Sequence, residues 1–171
     1  MSMRGLWIRL LWSVEFTIRA ITGIPLRYFS EVTPELYVSG QPQRRGWQFL
    51  TRYGITAVVN LRREYDDLES GISLEKYLHI KLEDNTAPSL DHLESGVVFI
   101  QSEIARGGKV FVHCAGGVGR APTLAAAYLV STGISSSEAW TTIQRVRPFI
   151  RPTPEQVDQV RVYAEQLDMK R

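Results

Sequence analysis

The stretch VFVHCAGGVGRAPT, Val110 to Thr123, holds the chain's one cysteine, and its reading decides the fold. Val110 to His113 form a β-branched and aromatic run of the kind that makes a buried strand, and KVFVH is read as one. Three glycines follow within five residues. From Ala121 the text becomes an Ala-rich helix, APTLAAAYLVSTG, closed by Gly133. A strand that runs through a glycine loop into a helix predicts an α/β sheet with Cys114 at a strand's C-terminal end, where open α/β sheets bind their ligands.

The chemistry of the loop follows from its residue types. Gly116, Gly117 and Gly119 admit backbone angles closed to bulkier residues, so the N–H groups of Ala115, Gly116, Gly117, Val118, Gly119 and Arg120 can converge on one point. The helix behind them adds the positive end of its dipole. Arg120 supplies a planar, permanently charged fork suited to two oxygens of a phosphate. Such surroundings stabilise a thiolate. Cys114 is therefore expected to be an anionic nucleophile beneath a phosphorus atom, which points to attack on a phosphate ester.

Working outward, the same alternation of strand and helix continues. ELYVSG (35–40), ITAVVNL (55–61) and YLHIKL (77–82) read as strands. RRGWQFLTRYG (44–54) reads as a helix stopped by Gly54. SLDHLESGVVFIQSEIARGG (89–108) reads as a long amphipathic helix, with Asp91 and Glu94 at capping-box spacing. Two more helices close the chain. One opens on Ser135 and Glu138 and stops before Pro148; the other has Thr153 as N-cap, Pro154 in the first position and Gln156 at the third. The expected fold is α/β, a central mixed, mostly parallel sheet flanked by helices.

Composition sets the outer limits. The 171 residues are 44% hydrophobic and 22% charged, close to globular averages. A net charge of +2 gives no reason to expect nucleic-acid binding. A single cysteine excludes an internal disulfide and multi-cysteine zinc motifs, and it suits a reducing compartment such as the cytoplasm. Residues 1–29 carry Arg4, Arg9, Arg19 and Arg27 against Glu15, a net +3. Within them Trp7, Leu10, Leu11, Val14, Ile18 and Ile21 recur at steps of three and four, so residues 6–21 read as an extra N-terminal amphipathic helix ending at Gly23 and Pro25. Its uncharged runs are far too short to span a bilayer or to serve as a secretory h-region. Packing on the body or on a second copy, lying on a membrane surface, and targeting remain open uses for it. The expected division is 1–29 for this segment and 30–171 for a catalytic domain.

HCAGGVGR matches the His-Cys-x5-Arg signature and resembles the cysteine-dependent protein tyrosine and dual-specificity phosphatases. The resemblance spans most of residues 30–167, including LYVSGQP near its start and RVRPFIRPTPEQ near its end. It implies a two-step cycle through phosphocysteine with no metal or cofactor. Cys114 is then the nucleophile, Arg120 the phosphate clamp, and His113 a supporting residue directly behind the nucleophile. It also implies an aspartate acid on a loop about thirty residues earlier. Asp84, directly after YLHIKL, fits that distance. Asp91 is better read as a helix cap, and Glu83 falls on the other side of the chain.

The family commonly places Ser or Thr directly after the arginine; here Ala121 and Pro122 follow, and some glucan phosphatases resemble this GRAP variant. On substrate, the short domain favours the dual-specificity branch acting on phosphoprotein. Val118 stands where phosphoinositide 3-phosphatases of the superfamily often have lysine. NLRREYDD (60–67) resembles the Glu-Glu-Tyr-Glu loop of the mitochondrial phosphatidylglycerophosphate phosphatases, with Arg63 replacing an acid. That likeness makes Glu64 and Tyr65 candidate substrate contacts and a phospholipid monoester the second substrate reading, ahead of a phosphorylated glucan. Read blandly, RREYDD is a solvated charged loop. A catalytically inactive phosphate-binding module is the alternative outside enzymes.

Overall fold

The computed structural model describes residues 30–70 and 75–170, together with Trp7, Leu10, Ser13, Val14 and residues 16–18. Among the described residues one five-stranded sheet forms the centre. Its strands are β1 (Ser30–Glu31), β2 (Leu36–Gly40), β3 (Ala57–Arg62), β4 (Lys76–Leu82) and β5 (Val110–Cys114). They lie in the order β1-β2-β5-β3-β4. All neighbours are parallel except β1, which pairs antiparallel with β2. The two-residue β1 is too short to leave a periodic signal, and sequence reasoning missed it.

Among the described residues five helices flank the sheet: α1 (Arg44–Arg52), α2 (Leu90–Ala105), α3 (Arg120–Ser131), α4 (Ser136–Val146) and α5 (Pro154–Met169). On one face α1 covers a small cluster of Tyr37, Trp47, Leu50, Val58 and Phe111. On the other, α2 to α5 enclose the main core. At its centre lies α3, buried from Arg120 through Val130. Three successive alanines, Ala125 to Ala127, let its neighbours approach closely, and a helix apolar all round belongs inside. A Cβ at Gly96 of α2 would lie 2.5 Å from Leu124 Cδ1, so glycine sets that helix spacing.

The caps follow the sequence reading with one correction. Ser135 with Glu138, and Thr153 with Gln156, form both expected capping boxes. At α2 the cap is Ser89, whose hydroxyl accepts from His92 N–H, and Asp91 sits inside the first turn. Ser89 wins because its extended backbone aims its short hydroxyl at the free N–H groups, while Asp91 already has helical geometry. An acidic residue there still complements the helix dipole. In the N-terminal segment the described positions of residues 6–21 are helical, and its end at Gly23 and Pro25 lies outside the described residues. Trp7, Leu10 and Val14 are exposed. No helix among the described residues is long and apolar enough to cross a membrane.

Candidate active site

The central strand β5 runs between β2 and β3 and delivers Cys114, 2% exposed, to the carboxyl edge of the sheet. The loop that follows turns tightly enough for Arg120 to open α3, one residue earlier than Ala121. Gly117 alone of the three loop glycines has a positive φ, +65°. A Cβ there would lie 2.3 Å from the Ser39 carbonyl carbon and 2.5 Å from Gly40 N, so glycine is required on both counts. Gly116 has room for a Cβ, and a Cβ at Gly119 would meet Gln156 Oε1 at 3.1 Å. Conformational freedom is thus needed at one position, where the sequence reading assigned it to three.

Five consecutive loop carbonyls are held from outside. Ala115 O accepts from Gln41 N–H at 3.1 Å and Val118 O from Arg151 N–H at 2.7 Å. Gly116 O and Gly117 O accept from the guanidinium of Arg147 at 3.1 and 2.5 Å. Gly119 O accepts from the Thr123 hydroxyl at 2.9 Å and the Thr123 N–H at 3.0 Å. With the carbonyls fixed outward, the loop amides are free to line the inner side, and Gly117 N–H donates to Cys114 Sγ at 3.2 Å. Arg147 is fully buried for this task. Nothing in the run RVRP distinguishes it from a helix-terminal surface arginine, so sequence reasoning passed over it.

Arg120 is also buried, at 1% exposure, and nearly all its donors are assigned. Nη1 donates to the carbonyls of Leu61 and Leu82 at 3.3 and 2.8 Å. The Glu64 carboxylate bridges Nη1 and Nη2 at 3.0 and 3.1 Å. Asp84 Oδ1 lies 3.1 Å from Nη2. Only Nε has no partner among the described residues, and it is buried. Every other donor edge of the guanidinium is engaged. Burial alone would lower the guanidinium's pKa; the Glu64 hydrogen bond and the charges of Cys114, Asp84 and Glu64 outweigh it and raise it.

Asp84 is two-thirds exposed, at the tip of a turn after β4. Asn85 makes the turn with φ +58°, a conformation Asn tolerates better than most residues. Thr86 closes it onto Glu83 O, and Gln156 Nε2 ties Thr86 O to the start of α5 at 2.9 Å. Glu83 pairs with the Arg63 guanidinium at the surface. Ala121 is fully buried in α3.

The RREYDD loop is not a solvated charged loop. Glu64 is bidentate on Arg120 and also takes Arg62 Nε at 2.9 Å. The Arg62 guanidinium lies 4.8 Å over the Tyr65 ring, and Tyr65 O accepts from Asn60 Nδ2 at 2.8 Å. Asp66 meets His79 Nδ1 at 3.0 Å. Asp67 is fully buried against His113 Nε2 at 2.8 Å. The loop therefore reaches both ends of the signature, which charge counting alone does not show.

The Arg120 hydrogen bonds hold the Glu64 carboxyl down to about 2, from an ordinary value of 4.5. A depressed carboxylate adds stability that is present above its unfolded pKa and lost as pH falls through the folded one. Glu64→Gln is therefore expected to lower the melting temperature at pH 7. The gap to the parent should close as pH falls from about 4.5 towards 2, and high salt should narrow it, since Glu64 is partly exposed. A gap independent of pH in thermal scans would assign the effect to packing.

A thiol under an amide-lined loop, an arginine at the loop's end and a carboxylate beside it place the molecule among the cysteine-dependent phosphatases. Residues 36–166 match the family model "Dual specificity phosphatase, catalytic domain", and the chain belongs to that family. A probable rhodanese domain-containing dual specificity protein phosphatase of Dictyostelium discoideum is 32% identical over 146 residues, 84% of this chain and 30% of that protein. The solved structure of Tk-PTP in the active form is 30% identical, with a TM-score of 0.73 over 82% of this chain and 99% of that one. The structure of PTPMT1 in complex with PI(5)P shares the fold at 20% identity, with a TM-score of 0.72 over 81% and 96%. This chain spans about a third of the length of the curated relatives it matches first.

Proposed function

We propose that this chain hydrolyses phosphomonoesters through a phosphocysteine, as a dual-specificity-type protein phosphatase, with its catalytic unit in residues 30–171 and residues 1–29 as an appended segment. The observation that carries the reading is the set of five outward-anchored carbonyls around Cys114, with the free Nε–H of Arg120 at the loop's end. A cradle organised before the ligand arrives is what stabilises charge on a transferring phosphoryl group.

In the first step Cys114 Sγ forms a bond to phosphorus as the ester P–O bond breaks, and Asp84 gives its proton to the leaving oxygen. In the second, Asp84 takes a proton from water as that water attacks phosphorus. The S–P bond breaks, returning thiolate and inorganic phosphate. Gly117 N–H, at 3.2 Å from Sγ, supports the departing sulfur. Ala121 offers it no hydroxyl, and the Thr123 hydroxyl is engaged by Gly119 O. Phosphoenzyme breakdown accordingly proceeds without a hydroxyl hydrogen bond on the leaving sulfur and is slowed by its absence.

Asp84→Asn should lower kcat/KM, which reads the first step alone, by about 100-fold on substrates with poor leaving groups, the usual scale of a general acid. It should cost much less on an aryl ester that leaves unprotonated. Equal losses on both would remove Asp84 from the acid role.

The second reading, a phospholipid monoester phosphatase on an anionic membrane surface, is favoured by the exposed helical Trp7, Leu10 and Val14 in a segment of net charge +3. The PI(5)P named with the PTPMT1 structure belongs to the same substrate class. One experiment separates the readings: phosphate release from phosphotyrosine and phosphothreonine peptides, phosphatidylglycerophosphate vesicles, phosphoinositides and phosphorylated glucan, with Cys114→Ser protein as blank. Peptide turnover above the lipids supports the first reading, and lipid turnover above the peptides supports the second. No release from any of them, with phosphate still bound, leaves a phosphate-binding module.

A further inference from the structure

One buried carboxylate takes no part in the phosphoryl transfer. Asp67 is fully buried, as is His113. An ionised carboxylate is costly to bury, so its partners must be specific. Asp67 Oδ2 receives His113 Nε2 at 2.8 Å, and Oδ1 receives Gln41 Nε2 at 2.7 Å. Its own N–H donates to the Tyr77 hydroxyl at 3.2 Å. Gln41 is more than a partner for Asp67. Its backbone N–H holds Ala115 O at 3.1 Å, and its Oε1 accepts from Arg62 at 3.3 Å. The residues on either side of Cys114 are thus tied to one carboxylate, His113 directly and Ala115 through Gln41.

The imidazole has little freedom otherwise. Trp47 meets it in a T-shaped arrangement at 5.8 Å between centroids, and Phe111 stacks on it at 5.5 Å. A carboxylate only accepts, so Nε2 carries the proton, and Nδ1 has no partner among the described residues. We propose that Asp67 is a positioning residue: through His113 and Gln41 it fixes the backbone on both sides of Cys114 and so presents Sγ beneath the phosphorus atom. An asparagine there has one acceptor oxygen for two donors. Either the Gln41 amide must turn, or the imidazole must shift its proton to Nδ1 and accept at Nε2, which buries an Nδ1–H with no acceptor among the described residues.

The kinetic arm rests on the phosphatase reading; the chemical arm does not. Because the chain has a single cysteine, iodoacetamide modification reports on Cys114 alone. Asp67→Asn is expected to slow both alkylation and kcat by about 10- to 100-fold, with KM within about twofold of the parent, the pattern of a misplaced reacting group. His113→Asn should act on the same rates, and the double variant should be no slower than the slower single one, because the pair works as a unit. Alkylation and kcat within about twofold of the parent, whatever happens to the melting temperature, would show that Asp67 only holds the fold together. Multiplying effects would also overturn the proposal. If Asp67→Asn does not fold, Gln41→Ala is read in the same way, with a smaller loss expected in both rates and no loss overturning the idea. A parent that turns over no ester but still shows slowed alkylation in Asp67→Asn would overturn the phosphatase reading and keep this one.

Discussion

Serine at position 114 is expected to lower phosphomonoester turnover by about 10^4- to 10^6-fold, the scale of losing a nucleophile outright. Binding of phosphate should stay within about tenfold, because the charge-assisted hydrogen bonds that grip the anion come from the arginine and the loop amides, and these stay in place. The two outcomes separate because different atoms carry them. The cradle's carbonyls are held by Gln41, Arg147, Arg151 and Thr123, through hydrogen bonds that do not involve the sulfur. Only the Gly117 N–H loses its sulfur acceptor at 3.2 Å, and a hydroxyl can replace that. What serine cannot replace is a group that ionises readily and leaves readily. Steady-state kinetics with phosphate titration calorimetry on both proteins reads the two quantities. Turnover above about one per cent of the parent would mean that another group attacks phosphorus.

The parts of the site that were legible in the sequence are those that local chain chemistry imposes. HCAGGVGR carries its own geometry, because strand, glycine turn and helix N-terminus are contiguous. The caps at Ser135 and Thr153 were legible for the same reason. Ser89 was missed because Asp91 and Glu94 offered the same spacing two residues later, and only backbone angles decide between them. The long-range contacts were not legible. Glu64 and Arg120 are 56 positions apart, Asp67 and His113 are 46 apart, and Arg147 reaches back 30 to the loop. Glu64 and Asp67 lie in a charged stretch, and Arg147 stands at a helix end between Val146 and Pro148, so hydrophobic periodicity gives no sign of these contacts. RREYDD showed this most clearly. Its composition suggests a solvated loop, yet it follows a register shift in the β3–β4 pairing and hydrogen-bonds to both His113 and Arg120.

The same long-range contacts determine what happens when Arg120 becomes lysine. Charge is conserved, so if the arginine served only as a cation the loss would be less than about tenfold. The geometry predicts far more, a fall in kcat/KM of about 10^3- to 10^5-fold, the worth of an arginine at a phosphoryl transition state. A lysine ammonium has three donors at one point, whereas Arg120 spreads its donors around a plane. That plane meets Leu61 O, Leu82 O, both oxygens of Glu64 and Asp84, and still leaves Nε for the substrate. The shorter, compact head cannot hold the two carbonyls and also reach the ligand. Leaving them unpaired costs about 1–3 kcal/mol for each buried acceptor, so the variant should also melt at lower temperature. The test is kcat/KM together with melting temperature for Arg120→Lys beside Glu64→Gln in the same background. If the fork is what matters, the two carbonyls and the substrate compete for the ammonium, and removing the Glu64 charge as well will not restore the rate. A double variant that regains activity to within about tenfold of the parent would show instead that Arg120 works as a charge balanced by Glu64, and that the planar fork is incidental.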